Sequence, residues 1–439
     1  MKAIGLDIGT TTICGVLLDG QTGKQLDRYT VENKSGLCSH HSWEKLQDPS
    51  VIESCCLDIV KKLVASHPDI AAIGVTGQMH GIVYLNSKGE PVSPLITWQD
   101  GRGNLTESNG RTYAQNVSER TGCRLATGFG AVTHYWNTQN NMIPPNAVIF
   151  CTIADYIAMR LAGRSSPVLH CSMAASLGLF SLQENRFDER MIRRAGIDAR
   201  YFPQVQQEEK YIGFWNQNVP VSAALGDNQA SFLGAVPEGG SVLVNVGTGS
   251  QISVLANEIR QFEQMECRPF MNGMFLYVGS PLCGGYAYAL LKKFYESVFQ
   301  MCGVEPPLEL YSYMNAAAAD GFDKRGTEGL QADVRFNGSR AQPALRGKIE
   351  NISAENFNAE ALTLGILQGI CKELHDYYLE ADIQNGVPYI TGSGNGIRKN
   401  PLLQKLFSLQ FGKKLWVSQC EEEAACGSAL FSLRQAGTI

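Results

Sequence analysis

The feature that most constrains the fold is a short segment near the start of the chain that occurs again far downstream. Residues Ile4–Thr12 read IGLDIGTTT and residues Val242–Ser250 read VLVNVGTGS, so Asp7 aligns with Asn245 at an offset of 238 positions. At the same offset Val16-Leu17 aligns with Val254-Leu255. Each copy has the pattern of a buried strand, a Gly-Thr turn and a second apolar strand. Gly-Thr turns are common, so chance similarity is the alternative, but the shared order favours a duplicated unit and hence two similar domains.

The rest of the chain alternates short apolar runs with longer segments of helical periodicity, which predicts an α/β fold. A helix is expected to begin at Asp48-Pro49, because a capping acid is followed there by proline. No Pro- or Ser-rich linker is present, so the repeat sets the domain bounds at 1–235 and 236–439. Further helices are expected at 134–141, 152–162, 285–300, 359–379, 398–410 and 424–435, and strands at 3–8, 13–18, 71–75, 82–85, 221–225, 242–246, 251–255, 274–278 and 387–391.

Composition excludes several classes of function. The 439 residues are 44% hydrophobic, which is enough for sizeable cores, and the formal net charge of −5 offers no basic surface for nucleic acid. No apolar run approaches the ~20 residues of a membrane span, and Asp7 interrupts the apolar opening, so we expect a cytoplasmic protein without a membrane partner. The 13 cysteines are scattered without metal-ligand spacing, which predicts reduced thiols, no zinc site and no structural disulfide.

The two Gly-Thr turns are candidate phosphate-binding elements. Glycine lets the backbone approach an anion closely, and the hydroxyls of Thr10, Thr11 and Thr12 add hydrogen-bond donors. Asp7, at the end of the strand, offers the oxygen ligand that Mg²⁺ prefers, whereas the second copy has Asn245. The alternative for either turn is a plain β-hairpin whose threonines bind local backbone groups.

A third glycine turn follows the strand pattern at 387–391. Gly392, Gly394 and Asn395 lie between that strand and a helical run, which favours contact with a nucleotide at a helix start. Ile397 stands where a dinucleotide-binding fingerprint needs glycine, and no P-loop sequence is present. The alternative is a simple strand-to-helix connection.

Three polar clusters follow strand patterns and are typical of a site for a small polar ligand such as a sugar. The first is the turn 76–81 with Gln78 and His80, and the second is the run Trp98–Arg102, in which an aromatic face adjoins an amide, a carboxylate and a guanidinium. The third ends in Asp227, whose alternative role is to cap the helix expected at 229–235. A structural histidine and a core tryptophan are the corresponding alternatives for His80 and Trp98.

These motifs occur in the order found in the FGGY carbohydrate kinases, which the sequence resembles over nearly its whole length. The motifs are GLDIGTT, GQMHG, TWQDGR, GDNQA, the second Gly-Thr turn and GSGN…EEEAACGSAL. Within that family LITWQDGR, ATGFGAVTHYW, SMAASLGLF and NFNAEALTLGILQGICKELH are similar to the sedoheptulokinase branch. The resemblance implies two actin-like, ribonuclease H-type α/β domains with a nucleotide cleft between them, the first binding sugar and the second nucleotide.

The resemblance also implies roles for residues and a reaction. ATP and Mg²⁺ would serve to phosphorylate the terminal primary hydroxyl of a small-molecule ketose, with sedoheptulose first and xylulose as the alternative, in a monomer or homodimer. A non-catalytic actin-like ATP-binding protein is a further alternative. Cys14 and Lys405 depart from the family, which often has a basic residue and a glutamine there. The implied site consists of Asp227 as catalytic base, Asp7 for the metal, Thr10, Thr11, Thr12, Gly247, Thr248, Gly249, Gly392, Gly394 and Asn395 for ATP, and Gln78, Met79, His80, Trp98, Gln99, Asp100, Arg102 and Asn228 for the sugar.

Overall fold

The computed structural model describes residues 1–237, 239–339, 342, 344–383 and 389–438. The chain forms two compact units, and each is described by itself. Unit 1 consists of Met1–Gly234, Pro269–Gly273 and Cys420–Ile439, and unit 2 consists of Ala235–Arg268 and Met274–Gln419. The alternation of helices and strands confirms the predicted α/β class.

The strands are β1 (Lys2–Ile8), β2 (Thr12–Asp19), β3 (Lys24–Glu32), β4 (Gly36–Leu37), β5 (Leu46–Gln47), β6 (Ile70–Gly77), β7 (Val83–Leu85), β8 (Leu95–Ile96), β9 (Ile149–Cys151), β10 (Val168–Leu169), β11 (Phe180–Ser181), β12 (Arg186–Phe187), β13 (Gln204–Val205), β14 (Gly213–Trp215), β15 (Val219–Val221), β16 (Leu225–Gly226), β17 (Val242–Val246), β18 (Ser250–Ala256), β19 (Glu266–Pro269), β20 (Phe275–Gly279), β21 (Gln331–Asp333), β22 (Lys348–Glu350), β23 (Tyr389–Ser393) and β24 (Lys414–Val417). The helices are α1 (Pro49–Ser66), α2 (Tyr113–Thr121), α3 (Gly130–Gln139), α4 (Ile153–Leu161), α5 (Cys171–Leu177), α6 (Glu189–Ala195), α7 (Asp227–Ala235), α8 (Gly285–Met301), α9 (Leu310–Arg325), α10 (Ala359–Ala381), α11 (Asn395–Arg398), α12 (Pro401–Phe411) and α13 (Glu423–Gln435).

The main sheet of unit 1 has the order β14-β15-β6-β1-β2-β3, and β16 also pairs with β6. Strand β1 is antiparallel to β2 and parallel to β6, while β15 and β16 run parallel to β6. Because β1 and β6 are covered on both faces, they are continuous apolar runs, as buried parallel strands usually are. The carboxyl ends of β1, β6 and β16 therefore lie at the same edge of the sheet.

The main sheet of unit 2 repeats this arrangement, with the order β19-β20-β18-β17-β23-β24. Strand β17 is antiparallel to β18 and parallel to β23, as β1 is to β2 and β6. Both predicted hairpins are therefore confirmed. The neighbouring parallel strand is repeated as well, which supports duplication over a chance resemblance of two turns.

The two hairpin turns differ in length, so the constant offset of 238 does not hold through the second strand. In the first copy Ile8 pairs with Ile13, whereas in the second copy Val246 pairs with Ser250. The second turn is therefore one residue shorter. The difference of one residue is not visible in the sequence alignment. Both second strands are apolar, so apolar residues are matched whether or not the alignment is shifted by one position.

The last helix corrects the predicted domain bounds, because α13 belongs to unit 1 and not to the unit that precedes it in sequence. It packs on β1 and β6, where glycines allow close approach. A Cβ added to Gly5 would lie 1.9 Å from the carbonyl oxygen of Ala425, and one added to Gly74 would lie 1.9 Å from that of Ser428. The predicted segment 236–439 is therefore not one compact unit.

Most predicted elements are present with small differences at their ends. Helix α1 begins after Asp48, whose side chain accepts from the backbone N–H of Ser50, and Pro49 follows in the first turn. The strand expected at 221–225 is split into β15 and β16. Positions 387 and 388 of the strand expected at 387–391 lie outside the described residues, and β23 covers the remainder.

The expectation of no structural disulfide is wrong. Cys420 and Cys426 are joined, with their Cα atoms 7.1 Å apart, because the loop before α13 brings one sulfur next to the first turns of that helix. Their separation of six residues gave no recognisable spacing. Among the described residues, no helix is both long and apolar enough to cross a membrane.

Candidate active site

Two aspartates of unit 1 lie at the carboxyl ends of β1 and β16, the two strands that run parallel to β6 on either side of it. Asp7 of β1 is in register with Thr76 of β6, and Thr76 is in register with Leu225, two residues before Asp227. Burial, together with the nearby carboxylates of Asp227 and Glu422, raises the pKa of Asp7 to about 7. Ligands of open α/β sheets bind at this edge, so the position suits a reacting centre. Glu422 was not among the predicted site residues, although it lies in the EEEAACGSAL motif.

The carboxylates around Asp7 fit a hydrated divalent cation. Mg²⁺ is usually held by one or two carboxylates and keeps several waters, and a cation would offset the repulsion that raises the pKa of Asp7. Across the described part of the chain, no group of three or more His, Cys, Asp or Glu side chains is arranged to hold a metal ion. A divalent cation at this site would therefore be held mainly by Asp7 and by water molecules.

Asp227 is the first residue of α7, so the helix begins two residues earlier than the predicted 229–235. The backbone N–H of Gly226, just before it, donates to Ser172 Oγ at 2.9 Å. Asn228 is buried, and the side chain of Gln229 donates to the carbonyl oxygen of Pro269 at 2.9 Å. Neighbouring groups thus anchor the start of α7 on both sides of Asp227.

Gln78 links the turn after β6 to the first Gly-Thr turn. Its backbone N–H donates to the carbonyl of Ile8 at 2.9 Å, and its side-chain amide donates to Gln47 Oε1 at 2.8 Å. Gln47 in turn donates to the carbonyl of Thr10 at 2.8 Å. Among the described residues, the buried Oε1 of Gln78 has no hydrogen-bond partner, which makes it an acceptor suited to a ligand hydroxyl.

The next two residues of this turn are Met79, which lies beside the segment that carries Asp227, and His80, whose backbone is unusual. Met79 is buried, and a Cβ added to Gly226 would lie 2.8 Å from its Cε atom. His80 has a positive φ of 72°, which is uncommon outside glycine, and the N–H of Gly81 donates back to the carbonyl of Met79 at 2.9 Å. His80 is therefore the central residue of a strained three-residue turn.

Trp98 lies beside the first hydroxyl turn, where its indole N–H donates to Thr10 Oγ1 at 3.0 Å. The indole is 45% exposed, so it offers a flat apolar face to a ligand. Next to it is a cavity of about 360 Å³ lined by Thr10, Gly36, Leu37, Ser39, His41, Ser42, Glu44, Lys45, Leu46, Gln47, Thr97 and Gln99. Most of the segment 36–47 was not identified from the sequence as part of a site. The only indication in the sequence is the polar run just before Asp48.

Asp100 and Arg102 form a buried ion pair whose hydrogen-bonding groups are directed at the protein. Arg102 Nε donates to Asp100 Oδ1 at 2.7 Å, and Arg102 Nη1 donates to Asn137 Oδ1 at 2.6 Å. The guanidinium also lies over the rings of Trp43 and Trp136, at 5.7 and 4.9 Å from their centroids. In this structure the pair holds the segment after Trp98 in place, and a direct contact of either residue with sugar stays a prediction.

The second Gly-Thr turn lies in unit 2 beside a glycine pair that sequence reasoning missed. Thr248 and Gly249 are exposed, and the N–H of Tyr286 donates to the carbonyl of Thr248 at 2.8 Å. A Cβ added to Gly285 would lie 1.9 Å from the carbonyl oxygen of Gly247. The signal was available, because Gly284-Gly285 stands at the start of the helical pattern at 285–300.

The predicted nucleotide turn after β23 adjoins the same hairpin of unit 2. Gly394 has φ 83°, and a Cβ there would lie 2.5 Å from the carbonyl oxygen of Val246. Asn245 donates to Ser393 Oγ at 2.7 Å. The structure thus brings Gly392, Gly394 and Asn395 next to the hairpin that carries Gly247, Thr248 and Gly249.

The two departures from the family pattern are accommodated inside their own units. Burial raises the pKa of the Cys14 thiol to about 12, so this side chain is neutral and adds no charge beside Asp7. The ammonium of Lys405 lies 4.3 Å from the centroid of the Phe322 ring. Neither residue supplies a cation to the hairpin turn of its unit.

Solved structures of other proteins share the fold of this chain. The chain is covered completely by a xylulose kinase from Rhodospirillum rubrum (20% identity, TM-score 0.82, 91% of that chain). It is 99% covered by a glycerol kinase from Plasmodium falciparum solved with ADP (17% identity, TM-score 0.77, 89% of that chain). At these identities the likeness establishes the fold, which is the actin-like two-domain fold of sugar kinases.

Sequence comparison identifies the family. Residues 2–234 match the model of the N-terminal domain of the FGGY family of carbohydrate kinases, and the chain belongs to this family. It is 26% identical to human sedoheptulokinase over 98% of this chain and 97% of the relative. It is 23% identical to a glycerol kinase from Alteromonas mediterranea over 99% of this chain and 90% of that protein. The protein is therefore a carbohydrate kinase.

Proposed function

We propose that this carbohydrate kinase transfers the γ-phosphoryl group of ATP, with Mg²⁺, to the terminal primary hydroxyl of a ketose, and that sedoheptulose is the preferred acceptor. The observation that carries the proposal is that Asp7 and Asp227 lie at the carboxyl ends of β1 and β16, the two strands that run parallel to β6 on either side of it. The similarity to human sedoheptulokinase supports the choice of ketose. Xylulose is the alternative acceptor, because the GQMHG motif is shared with xylulokinases.

Each unit contributes a distinct set of groups to the proposed reaction. In unit 1, Gln78, His80 and Trp98 would bind sugar hydroxyls and ring carbons, and Asp227 would orient the accepting hydroxyl. In unit 2, the turns at 247–249 and 392–395 would bind the nucleotide. Asp7 would hold Mg²⁺, whose charge stabilises phosphate oxygens when bound. Thr10–Thr12 are the proposed phosphate contacts of unit 1.

The proposed reaction depends mainly on the orientation of the accepting hydroxyl. Phosphoryl transfer has a loose transition state, so aligning the hydroxyl and neutralising charge matter more than early proton removal. Asp227 would hold the hydroxyl in line and accept its proton late, a contribution typically worth about 10²–10⁴-fold. Asp7 could not accept this proton while it holds the metal, because a bound cation lowers the basicity of the carboxylate.

The ketose panel tests the reaction. The purified full chain is assayed for ADP release with D-sedoheptulose, D-xylulose, D-ribulose and glycerol, with and without Mg²⁺, and each product is identified by mass spectrometry. We expect the highest kcat/KM with sedoheptulose and a product phosphorylated at its terminal carbon. Sugar-independent ADP release with no phosphorylated product would contradict the proposal and favour a non-catalytic actin-like protein.

Asp227→Asn tests the catalytic residue. We expect sugar-dependent ADP release to fall about 10²–10⁴-fold while ATP binding, measured by calorimetry, persists. Glu189→Gln is the matched control, because Glu189 is also a first-turn acid of a helix but is exposed on α6. Turnover retained in Asp227→Asn would refute its assignment as the base.

A further inference from the structure

Helix α5 carries the SMAASLGLF motif, and no role has yet been given to it. Ser172 and Ser176 are four residues apart on this helix, so their side chains lie on the same face. Both are buried, with 1% and 5% of their surfaces exposed. Their hydrogen bonds reach two segments far away in sequence, which makes the helix a link between them.

The Ser172 end of the helix holds the segment that leads into Asp227. Ser172 Oγ accepts from the backbone N–H of Gly226 at 2.9 Å and lies 2.8 Å from His170 Nδ1. The N–H of Gly226 can only donate, so the Ser172 oxygen accepts in that bond whichever of Ser172 Oγ and His170 Nδ1 donates to the other. Because Gly226 directly precedes Asp227, this bond fixes the Leu225–Gly226 peptide, one residue before the Asp227 side chain.

The Ser176 end of the helix holds His80. The backbone N–H of His80 donates to Ser176 Oγ at 3.2 Å, and its ring Nδ1–H donates to the carbonyl of Ser176 at 2.7 Å. A carbonyl only accepts, so this contact places the proton on Nδ1 and makes Nε2 the acceptor of the neutral ring. The Phe129 ring lies 4.7 Å from the imidazole and confines it further.

The backbone strain at His80 is a second, independent observation. A residue other than glycine at φ 72° is strained, and the strain persists only where the surroundings hold the residue in that conformation. Here Ser176 supplies both polar contacts described above. Such strain is concentrated at ligand-binding and catalytic sites, so the turn is held in this form for a reason beyond chain reversal.

We propose that α5 is a positioning element, in which Ser172 sets the direction of the Asp227 carboxylate and the Ser176 hydroxyl holds the backbone of His80, from which its ring projects. This inference rests on the proposed function and adds two positioning residues to it. Because Asp227 orients the reacting hydroxyl and His80 binds the sugar, the two serines should control different kinetic constants.

Steady-state kinetics of the full chain test this with the ketose that the wild type phosphorylates best. For Ser172→Ala we expect kcat to fall about tenfold or more with KM for the ketose changed less than twofold, since small misplacement at a reacting centre lowers rate steeply. Ser176→Ala removes the hydroxyl that accepts from the His80 backbone N–H but keeps the carbonyl that accepts from the ring, and we expect KM to rise about tenfold with kcat changed less than threefold. Ser176→Thr keeps the hydroxyl and should restore KM.

The control is Ser432→Ala, because the Ser432 hydroxyl is also buried but donates to Ala429 of its own helix. It should lose similar stability with unchanged kinetics. If Ser172→Ala does not fold, Ser172→Cys retains the volume with a weaker acceptor and should lower kcat in the same direction. The positioning roles would be overturned if Ser172→Ala and Ser176→Ala changed kcat and KM in the same way as each other. They would also be overturned if both variants had the kinetics of the control. No ketose-dependent turnover in the wild type would instead overturn the proposed function.

Discussion

Replacement of Asp100 by asparagine tests whether the buried ion pair with Arg102 supports the fold. The Asp100 carboxylate is fully buried and accepts from Arg102 Nε at 2.7 Å, from Arg102 Nη2 at 3.2 Å and from the backbone N–H groups of Arg102 and Lys45 at 3.0 and 3.1 Å. Asparagine keeps the shape but removes the charge and offers a donor where an acceptor is required.

The expected loss follows from what remains around the guanidinium. After the change, the nearest carboxylate of an ion pair with Arg102 is that of Glu44, at 3.8 Å and partly exposed. Breaking one partner of a buried pair typically costs about 3–5 kcal/mol, because the other charge stays buried without compensation. Hydrogen bonds to Asn137 and contacts with two tryptophan rings offset only part of this cost.

Urea unfolding followed by tryptophan fluorescence measures the effect, because Trp43 and Trp136 flank the pair. We expect a fall of about 3–5 kcal/mol in the free energy of unfolding of the transition that reports these tryptophans, and we expect most of it to persist in 1 M NaCl. Glu119→Gln is the control, since its pair with Arg111 is about half exposed on both sides and should be worth less than about 1 kcal/mol. Unchanged unfolding together with a raised KM for the ketose would refute the structural role and identify Asp100 as a sugar contact.

Two further predictions concern packing and pH. Gly74→Ala should destabilise unit 1 by about 1–3 kcal/mol, because the new methyl group overlaps the backbone of α13, whereas Gly36→Ala, with nothing within 4 Å, should be near neutral in the same unfolding assay. Burial raises the pKa of Asp155 from 3.8 to about 7, so the folded state favours the neutral acid and loses stability as pH rises from about 4 to about 7. Asp155→Asn should remove this loss, which amounts to roughly 4 kcal/mol over that pH range. Equal slopes of unfolding free energy against pH in wild type and variant would contradict this account.

The sequence sufficed for those elements whose signal is local. Asp48-Pro49 placed the start of α1 because capping depends on adjacent residues. The Gly-Thr repeat predicted both hairpins, since a hairpin is decided by its turn and flanking strands. The shorter second turn could not be recognised, because a one-residue shift still matches apolar residues with apolar residues in the strand that follows.

Features that depend on distant contacts could not be predicted in the same way. The helical pattern at 424–435 was clear, but nothing within it indicated that α13 packs on β1 and β6. Asp100 and Arg102 stood beside the exposed Trp98 in sequence, and only the fold revealed that they face inward. Gln47, Ser172 and Ser176 act through partners dozens of positions away, so their roles had no local signal.

The return of α13 to unit 1 has a consequence for biosynthesis. The ribosome completes the strands of unit 1 early, yet the helix that covers Gly5 and Gly74 emerges only after residues 235–419 have been made. Until then the nascent sheet presents an uncovered apolar face, on which a holding chaperone could act. Unit 1 can therefore complete its packing only after unit 2 has been translated.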